Sequence, residues 1–453
     1  MRVLLISPND EKFPPAFPLG LYYLERVLTD HGYMVQILDL INEDDEKLAL
    51  KEVITTFNPN LIGFSIRNID NLVFKVPKIY YEKYKNIIDY TKEITDATIV
   101  LGGSGFSVLP KELIQYYDVK YGIVGDGEQA LINFIERYSK RQDVREINGL
   151  IINDNGNLFF NKQRYDFDFS NLTFPKRESK YMDCYSLNGK RWLNIQSKRG
   201  CNQGCIYCTS PYLEGNQLRL RDPKLVGDEL EYLHKTLNIE SMRFVDAIFN
   251  FPPQHSIQIC QEILNRKLKI EWNAAFSPKT NLLPSKLLTI LQASGCQMVD
   301  FSGMDTASKI MLKNMRKPFT QEDIVHSAKM CKEAGLRVVH SLLLGGPGET
   351  IDTIKESLEI MEQINPDAIW INLGIRIYPN TLMEKIAIEE GLIKQGEELI
   401  NPKYYISSHL RDVNYNDIFQ PYSKSHPNWA LTCLANNYSE WVSEIVKYTN
   451  ALA

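Results

Sequence analysis

Three cysteines fall close together: Cys201, Cys205 and Cys208, in the run Lys198-Arg199-Gly200-Cys201-Asn202-Gln203-Gly204-Cys205-Ile206-Tyr207-Cys208. Thiolates at this spacing suit a loop wrapped around a metal centre. An iron–sulfur cube ordinarily takes four cysteines. Three would leave one iron open, and an open coordination position is what turns a metal from structural to catalytic. Gly200 and Gly204 let the backbone approach such a centre closely. A structural zinc would want a fourth Cys or His at matching spacing, and the next histidines, His234 and His255, are far along the chain. The other five cysteines, Cys184, Cys260, Cys296, Cys331 and Cys433, are scattered and read as buried apolar side chains. Clustered cysteines in a large chain with no secretory signal point to metal or redox chemistry rather than to disulfides.

Such a loop needs a strand to launch it and a scaffold to close around it. Apolar periodicity predicts strands at Trp192–Ser197, Met242–Val245, Ile270–Ala275, Met298–Ser302, Val338–Leu344 and Ile369–Ile377. Helices fill the gaps, for example Leu225–His234, Ser285–Leu291, Asp323–Ala334 and Thr353–Ile364. Alternating βα units predict a closed or partly closed barrel with its site at the C-terminal strand ends, and the cysteines follow the first of these strands. Upstream, strands are expected at Arg2–Ser7, Tyr33–Leu40, Leu61–Ile66, Thr98–Leu101 and Tyr121–Val124. They alternate with helices such as Leu19–His31, which stops at Gly32 and follows a Pro-rich loop at Phe13–Pro18. This pattern predicts a doubly wound parallel sheet that binds ligands at its C-terminal strand ends. Two small-residue turns, Gly102-Gly103-Ser104-Gly105 and Gly125-Asp126-Gly127-Glu128, lie at such ends.

Between the two alternating regions the rhythm breaks. Ile151–Phe160 reads as a hairpin around Asp154-Asn155-Gly156. The expected fold class is α/β: a Rossmann-like doubly wound sheet over residues 1–146, a linker over 147–190, a partial (βα)6 barrel over 191–391 and a short mixed tail over 392–453. At 453 residues the chain suits two or three domains. Its 44% hydrophobic and 24% charged content is that of a folded globular protein. A net charge of −5 gives no electrostatic reason to expect nucleic acid as a partner. No stretch is long and apolar enough to span a bilayer, so no membrane partner is expected. The opening apolar run stops at Pro8 and reads as a strand rather than a signal peptide, so the expected compartment is the cytoplasm.

C-x-x-x-C-x-x-C after the first strand of a βα barrel resembles the signature of the radical S-adenosylmethionine (SAM) enzymes, and together with the N-terminal turns the chain resembles the cobalamin-dependent, methyltransferase-like members of that family, from about Met1 to Gly391. The resemblance implies a 4Fe–4S cluster on Cys201, Cys205 and Cys208. SAM would chelate the open iron through its amino and carboxylate groups, and an electron from the cluster would cleave it to methionine and a 5′-deoxyadenosyl radical. Leu213-Glu214-Gly215…Leu218-Arg219-Leu220-Arg221 is similar to a run in cobalamin-linked members, the alternative being a basic surface loop. Phe244–Phe249 resembles F-x-D-D-x-F with Ala247 in place of the second acid, so Asp246 either meets the SAM amine or caps a turn. Lys279 and Asn281 stand where the family has Arg and Asp. Asp305, in a run resembling F-x-G-I-E-S, is implied near SAM, as is Tyr207 in the cysteine loop. Gly346-Pro347-Gly348-Glu349-Thr350 resembles the turn that faces the adenine, and Tyr378-Pro379-Asn380-Thr381 a last-strand Y-P-G-T.

In the first region, Pro18–Leu24 and the two turns resemble a cobalamin-binding domain, which implies cobalamin contacts from Gly102, Gly103, Ser104, Gly105, Gly125, Gly127 and Glu128. No D-x-H-x-x-G histidine is present. Arg67 stands at the sheet's ligand edge, where a non-ligating cation would keep the lower cobalt face free of a strong donor and favour methyl transfer; the alternative is a surface or phosphate-binding arginine. The implied activity is methyl transfer, with SAM as methyl donor, radical source or both, to a small-molecule or peptide substrate. An external electron donor such as flavodoxin or ferredoxin is implied. The other readings are a radical SAM enzyme of non-methylating rearrangement, cyclisation or C–S chemistry, and a cobalamin- or metal-sensing protein.

Overall fold

The computed structural model describes residues 1–8, 15–177, 179–187 and 189–452. Phe13 and Pro14 of the expected Pro-rich loop lie outside the described residues.

The first sheet begins with β1 (Arg2–Ser7), β2 (Met34–Asp39), β3 (Leu61–Ser65), β4 (Thr98–Gly102) and β5 (Tyr121–Ile123), all parallel and ordered β2-β1-β3-β4-β5. Runs such as Val3-Leu4-Leu5-Ile6 are buried on both faces, which is why helices must cover both sides. The strand order reverses between β1 and β3, and such a switch point opens the crevice in which these sheets bind ligands. The predicted hairpin forms as β6 (Leu150–Asp154) and β7 (Asn157–Phe160), added antiparallel onto β5. The segment expected as a linker therefore opens by extending the first sheet.

The second sheet holds β8 (Ser186–Leu187), β9 (Lys190–Ile195), β12 (Ser241–Phe244), β13 (Glu271–Ala275), β14 (Cys296–Asp305), β15 (Arg337–Leu344), β16 (Ala368–Leu373) and β19 (Trp429–Leu431). Its order is β19-β16-β15-β14-β13-β12-β9-β8, parallel except for β8. The two end strands do not pair, so the barrel is partial. All six expected barrel strands form. The sixth is cut at Gly374 (φ +85°), where the chain turns out to make β17 (Ile375–Arg376), antiparallel to β18 (Tyr404–Tyr405). A short ribbon of β10 (Lys198–Arg199) and β11 (Arg219–Leu220) leads into and out of the cysteine loop. The tail is more regular than its composition suggests. It supplies β19 and the helix Tyr438–Leu452, whose buried Trp441, Ile445 and Tyr448 recur at helical spacing and pack on the inner side of β16. Among the described residues no helix is long and apolar enough to cross a membrane.

Candidate functional site

The C-terminal strand ends of the two sheets face each other across a cavity of about 430 Å³. Ser7, Ser65, Arg67, Gly103, Ser104 and Gly125 line it from the first sheet, and Asn194, Gln196, Val245 and Ala247 from β9 and β12. Gly102, Gly127 and Glu128 also reach its wall, whereas Gly105 packs behind it on the Arg67 carbonyl. The turns need glycine for a physical reason. A Cβ on Gly103 (φ +96°) would lie 2.6 Å from the Ile66 carbonyl oxygen, and one on Gly125 (φ +82°) would overlap the Gln163 amide. Arg67 opens onto the cavity, and its guanidinium makes no ion pair or hydrogen bond with the described residues. The surrounding protein lowers its pKa by desolvation. None of the described residues lining the cavity is a histidine. His31 is exposed at the end of its helix, with Nδ1 2.8 Å from the Val27 carbonyl.

A buried ionic clasp joins the two walls. Arg199 donates to Asp126 (3.2 Å), Glu128 (2.7 Å) and Gln196 (3.0 Å), and its guanidinium stacks on Phe169 at 4.5 Å. Arg219 pairs with the other Asp126 oxygen. Burial opposes the charge on Arg199, but Glu128 and Asp126 more than offset it and its pKa rises. Glu214 extends the network, accepting from Gly200 N–H (3.1 Å) and from the Gln196 amide (3.0 Å). The Cys201 N–H donates to the Gly215 carbonyl. The cysteine loop and the Gly125–Glu128 turn thus hang from one set of charges. The alternative of a basic surface loop for Leu213–Arg221 is overturned. Arg221 is fully buried and shares Glu229 with Arg177, since buried charges persist only when paired. Glu128, expected at the cofactor, spends its carboxylate on Arg199.

The three thiols lie within electrostatic reach of one another, yet among the described residues no three Cys, His, Asp or Glu groups converge on a point that would hold a single metal ion. Burial pushes the Cys201 thiol up to about 11 and raises that of Cys205, so both need cationic stabilisation to ionise. Lys317 supplies part of it. Its ammonium lies 3.3 Å from Cys205 Sγ, donates to the Gly303 carbonyl (2.9 Å) and pairs with the Asp305 carboxylate. Asp305, at φ +64° at the end of β14, also accepts from the Tyr207 hydroxyl. The Ile206 N–H donates to the Met315 carbonyl, Gly346 packs on Met311 and Met315, and Asn314 donates to the Pro347 carbonyl (2.9 Å). The short helix Lys309–Asn314 and the Met315–Lys317 turn that follows it therefore bring together the cysteine loop, Asp305 and the Gly346–Gly348 turn. Glu349 holds that turn by accepting from the Gly345 and Gly346 N–H groups, and burial pushes its carboxyl up to about 7.

Two expected residues fall elsewhere. Asp246 is consumed by the strand that launches the cysteines: it accepts from Ser197 N–H (2.7 Å), Lys198 N–H (3.1 Å) and the Ser197 hydroxyl. It therefore acts as a cap rather than an open acceptor. Lys279 precedes a 3-10 turn, and its ammonium pairs with none of the described residues. Sequence reasoning passed over Lys317, Arg199, Asp126, Gln196 and Asn194.

Residues 195–361 match the model of the radical SAM superfamily and residues 14–135 that of the B12 binding domain. The chain belongs to the cobalamin-dependent radical SAM enzymes. Cofactors of this family are a 4Fe–4S cluster, SAM and cobalamin. The chain is 24% identical to an uncharacterised methyltransferase of Pyrococcus horikoshii, over 87% of this chain and 84% of that one. It is also 24% identical to the tryptophan 2-C-methyltransferase of Streptomyces laurentii, over 86% and 74%. The radical SAM methyltransferase TsrM of Kitasatospora setae, solved with cobalamin and a 4Fe–4S cluster bound, superposes with a TM-score of 0.85 over 99% of each chain at 22% identity, a likeness of fold. In this cobalamin-dependent radical SAM enzyme the cavity, its glycine turns and the three neighbouring thiols fit the cofactors in kind.

Proposed function

We propose that the protein methylates a small molecule, with SAM as the methyl source and cobalamin as the carrier. When bound, cobalamin supplies a methyl-transferring metal centre and the cluster an electron for SAM. The observation that carries the reading is the shared cavity: strand ends of the cobalamin-binding unit form one wall and barrel strand ends form the other. A reaction confined there brings its groups together without a free encounter in solution. The related methyltransferases support methyl transfer as the outcome.

In this assignment Cys201, Cys205 and Cys208 hold the cluster. Tyr207, Asp305 and the Gly346–Gly348 turn receive SAM, with Lys317 balancing the local charge. Gly102, Gly103, Ser104, Gly125 and Gly127 form the cobalamin cradle. Arg67 lines the same cavity and, having no lone pair to give, would offer the cobalt no ligand there. Gly105 acts through packing, Glu128 through the clasp and Asp246 as a cap on Ser197 and Lys198, rather than by contact. We place the end of the cobalamin-binding unit after Phe160, because β6 and β7 belong to its sheet. A one-electron donor of the flavodoxin or ferredoxin type and a reducing, cytoplasmic setting suit the cluster and the free thiols.

The test is anaerobic incubation of the loaded enzyme with methyl-deuterated SAM, a reductant and a pool of small-molecule acceptors, followed by mass spectrometry. A product carrying the intact labelled methyl is expected. Release of 5′-deoxyadenosine with an altered but unlabelled product would replace methyl transfer by a rearrangement or cyclisation.

A further inference from the structure

Each thiol of the cysteine loop meets a donor from the protein. Cys201 accepts from the Gln203 N–H. Cys208 Sγ lies 3.5 Å from the Ser210 backbone nitrogen and 3.4 Å from the Ser210 hydroxyl. Cys205 Sγ meets the Lys317 ammonium at 3.3 Å. The first two donors are neutral and come from two residues along the same loop. The third is a full charge brought from 112 positions away.

That charge is sealed in. The Lys317 side chain is 1% exposed, and its three N–H groups go to the Gly303 carbonyl (2.9 Å), the Asp305 carboxylate and Cys205 Sγ. The Asp305 side chain is 4% exposed and also accepts from the Tyr207 hydroxyl. One buried cation therefore answers two anions, a fixed carboxylate and a thiolate, where salt and water screen little. The position of the loop does not require this contact, because Tyr207 already ties the loop to Asp305 with a neutral donor. Burying an ammonium against a sulfur is costly, and its distinctive effect is electrostatic.

The potential of an iron–sulfur cluster depends on charge and on hydrogen bonds at its sulfurs. A cation beside a ligating sulfur favours the form that carries one more electron, and a carboxylate on that cation opposes it. We propose that Lys317 and Asp305 are an opposed charge pair that sets the reduction potential of the cluster, Lys317 raising it through Cys205 and Asp305 lowering it through Lys317. The step concerned is the gain of one electron by the cluster from a low-potential one-electron reductant, which is oxidised in return; no bond forms or breaks. The proposal rests on the assignment of the cluster to Cys201, Cys205 and Cys208, and on neither the SAM placement nor methyl transfer.

The experiment is a redox titration of the anaerobic, cluster-loaded protein without SAM, with titanium(III) citrate as reductant and electron paramagnetic resonance of the reduced cluster as the readout. Iron content is measured on every sample. Lys317→Met is expected to make reduction about tenfold less favourable or worse, which for one electron is a midpoint more negative by about 59 mV or more. Asp305→Asn is expected to move the midpoint the other way, and the double variant to lie between the two singles. Ser210→Ala removes only a neutral donor and is expected to shift the midpoint in the same direction as Lys317→Met, but by less. Loss of a merely structural tie has no reason to give shifts of opposite sign. A wild-type midpoint in Lys317→Met with full iron, or shifts of one sign in both singles, overturns the proposal. Where Lys317→Met does not hold iron, Asp305→Asn decides alone, and a midpoint that is unchanged or more negative overturns it. Absence of iron from the unaltered protein sinks the cluster assignment instead.

Discussion

The clasp between Arg199 and the Gly125–Glu128 turn yields a quantitative prediction. In Arg199→Gln the Glu128 carboxylate stays buried and loses its cation, because Arg219 reaches only Asp126. Removing one partner of a buried pair costs about 3–5 kcal/mol. Asp126 keeps Arg219, which puts the expected cost near the lower end of that range. Glu128→Gln leaves Arg199 with Asp126 and should cost less. The double variant removes both charges, so its loss should fall short of the sum of the singles by about 0.5–3 kcal/mol. Part of the loss must appear in cobalamin affinity, since the turn lines the cavity, and each 1.4 kcal/mol is about tenfold in dissociation constant. Cobalamin titration of the four proteins, with iron content as control, is the assay. Arg199→Gln is expected to weaken cobalamin by about tenfold or more, and the double variant by less than the product of the singles. Wild-type affinity in Arg199→Gln, or losses that simply multiply, would refute the idea that the clasp holds the cavity in shape.

The remaining predictions follow from single groups. Changing Cys201, Cys205 and Cys208 together to Ala should abolish the roughly four iron per chain expected of one cube; retained iron on anaerobic analysis would sink the cluster assignment. Asp305→Asn should raise the SAM dissociation constant while iron content holds, and an unchanged constant would remove Asp305 from the SAM site. Arg67→His should add nitrogen splitting to the electron paramagnetic resonance lines of bound cob(II)alamin, and an unchanged spectrum would place Arg67 away from the cobalt. Glu349 has a folded pKa raised by burial to about 7, so between its unfolded value near 4.5 and about pH 7 the folded chain keeps a proton that the unfolded chain has lost. Its contribution is fully present below about pH 4.5 and is lost as pH rises toward 7; Glu349→Gln should therefore gain up to about 3 kcal/mol over wild type at pH 8 and nothing near pH 4.5. Thermal midpoints that shift equally at both pH values would contradict this.

The features legible in the sequence are those whose signal is local. The cysteines sit in one loop, the glycine turns are contiguous, and the strands announce themselves by apolar runs such as Val338–Leu344. Each is set by sterics or by spacing within a few residues. Strand ends failed where the fold intervened: Ile369–Ile377 reads as one strand, and only the turn at Gly374 shows that its last residues leave the sheet. The helix Tyr438–Leu452 was hidden because the Asn, Tyr and Pro content ahead of it masks a spacing that Trp441, Ile445 and Tyr448 in fact satisfy. Asp246 marks a different limit. An acid at a strand end serves equally well as a ligand or as a backbone acceptor, and only the positions of Ser197 and Lys198 decide which.

The cations that sequence reasoning missed share one trait: their partners come from distant elements. Arg199 meets Asp126 across 73 positions, Lys317 meets Cys205 across 112, and Arg243 meets Asp300 across 57. With 51 Lys and Arg against 56 Asp and Glu, no pattern in the chain says which of them pair. The usable clue is context. Arg243 interrupts the apolar strand Ser241–Phe244, and Arg199 stands on the strand-like entry to the cysteine loop. A cation placed where its backbone must be buried cannot be solvated, so it has to be answered by an acid, a thiolate or a ligand. For Arg199 the answer is complete within the protein, for Lys317 it is shared with the cluster loop, and for Arg243 it comes from the Asp300 carboxylate and the Asn273 side-chain oxygen. That gradation separates a clasp that is closed within the protein from a charge shared with the cysteine loop, and it rests on which groups answer each cation rather than on which residues are charged.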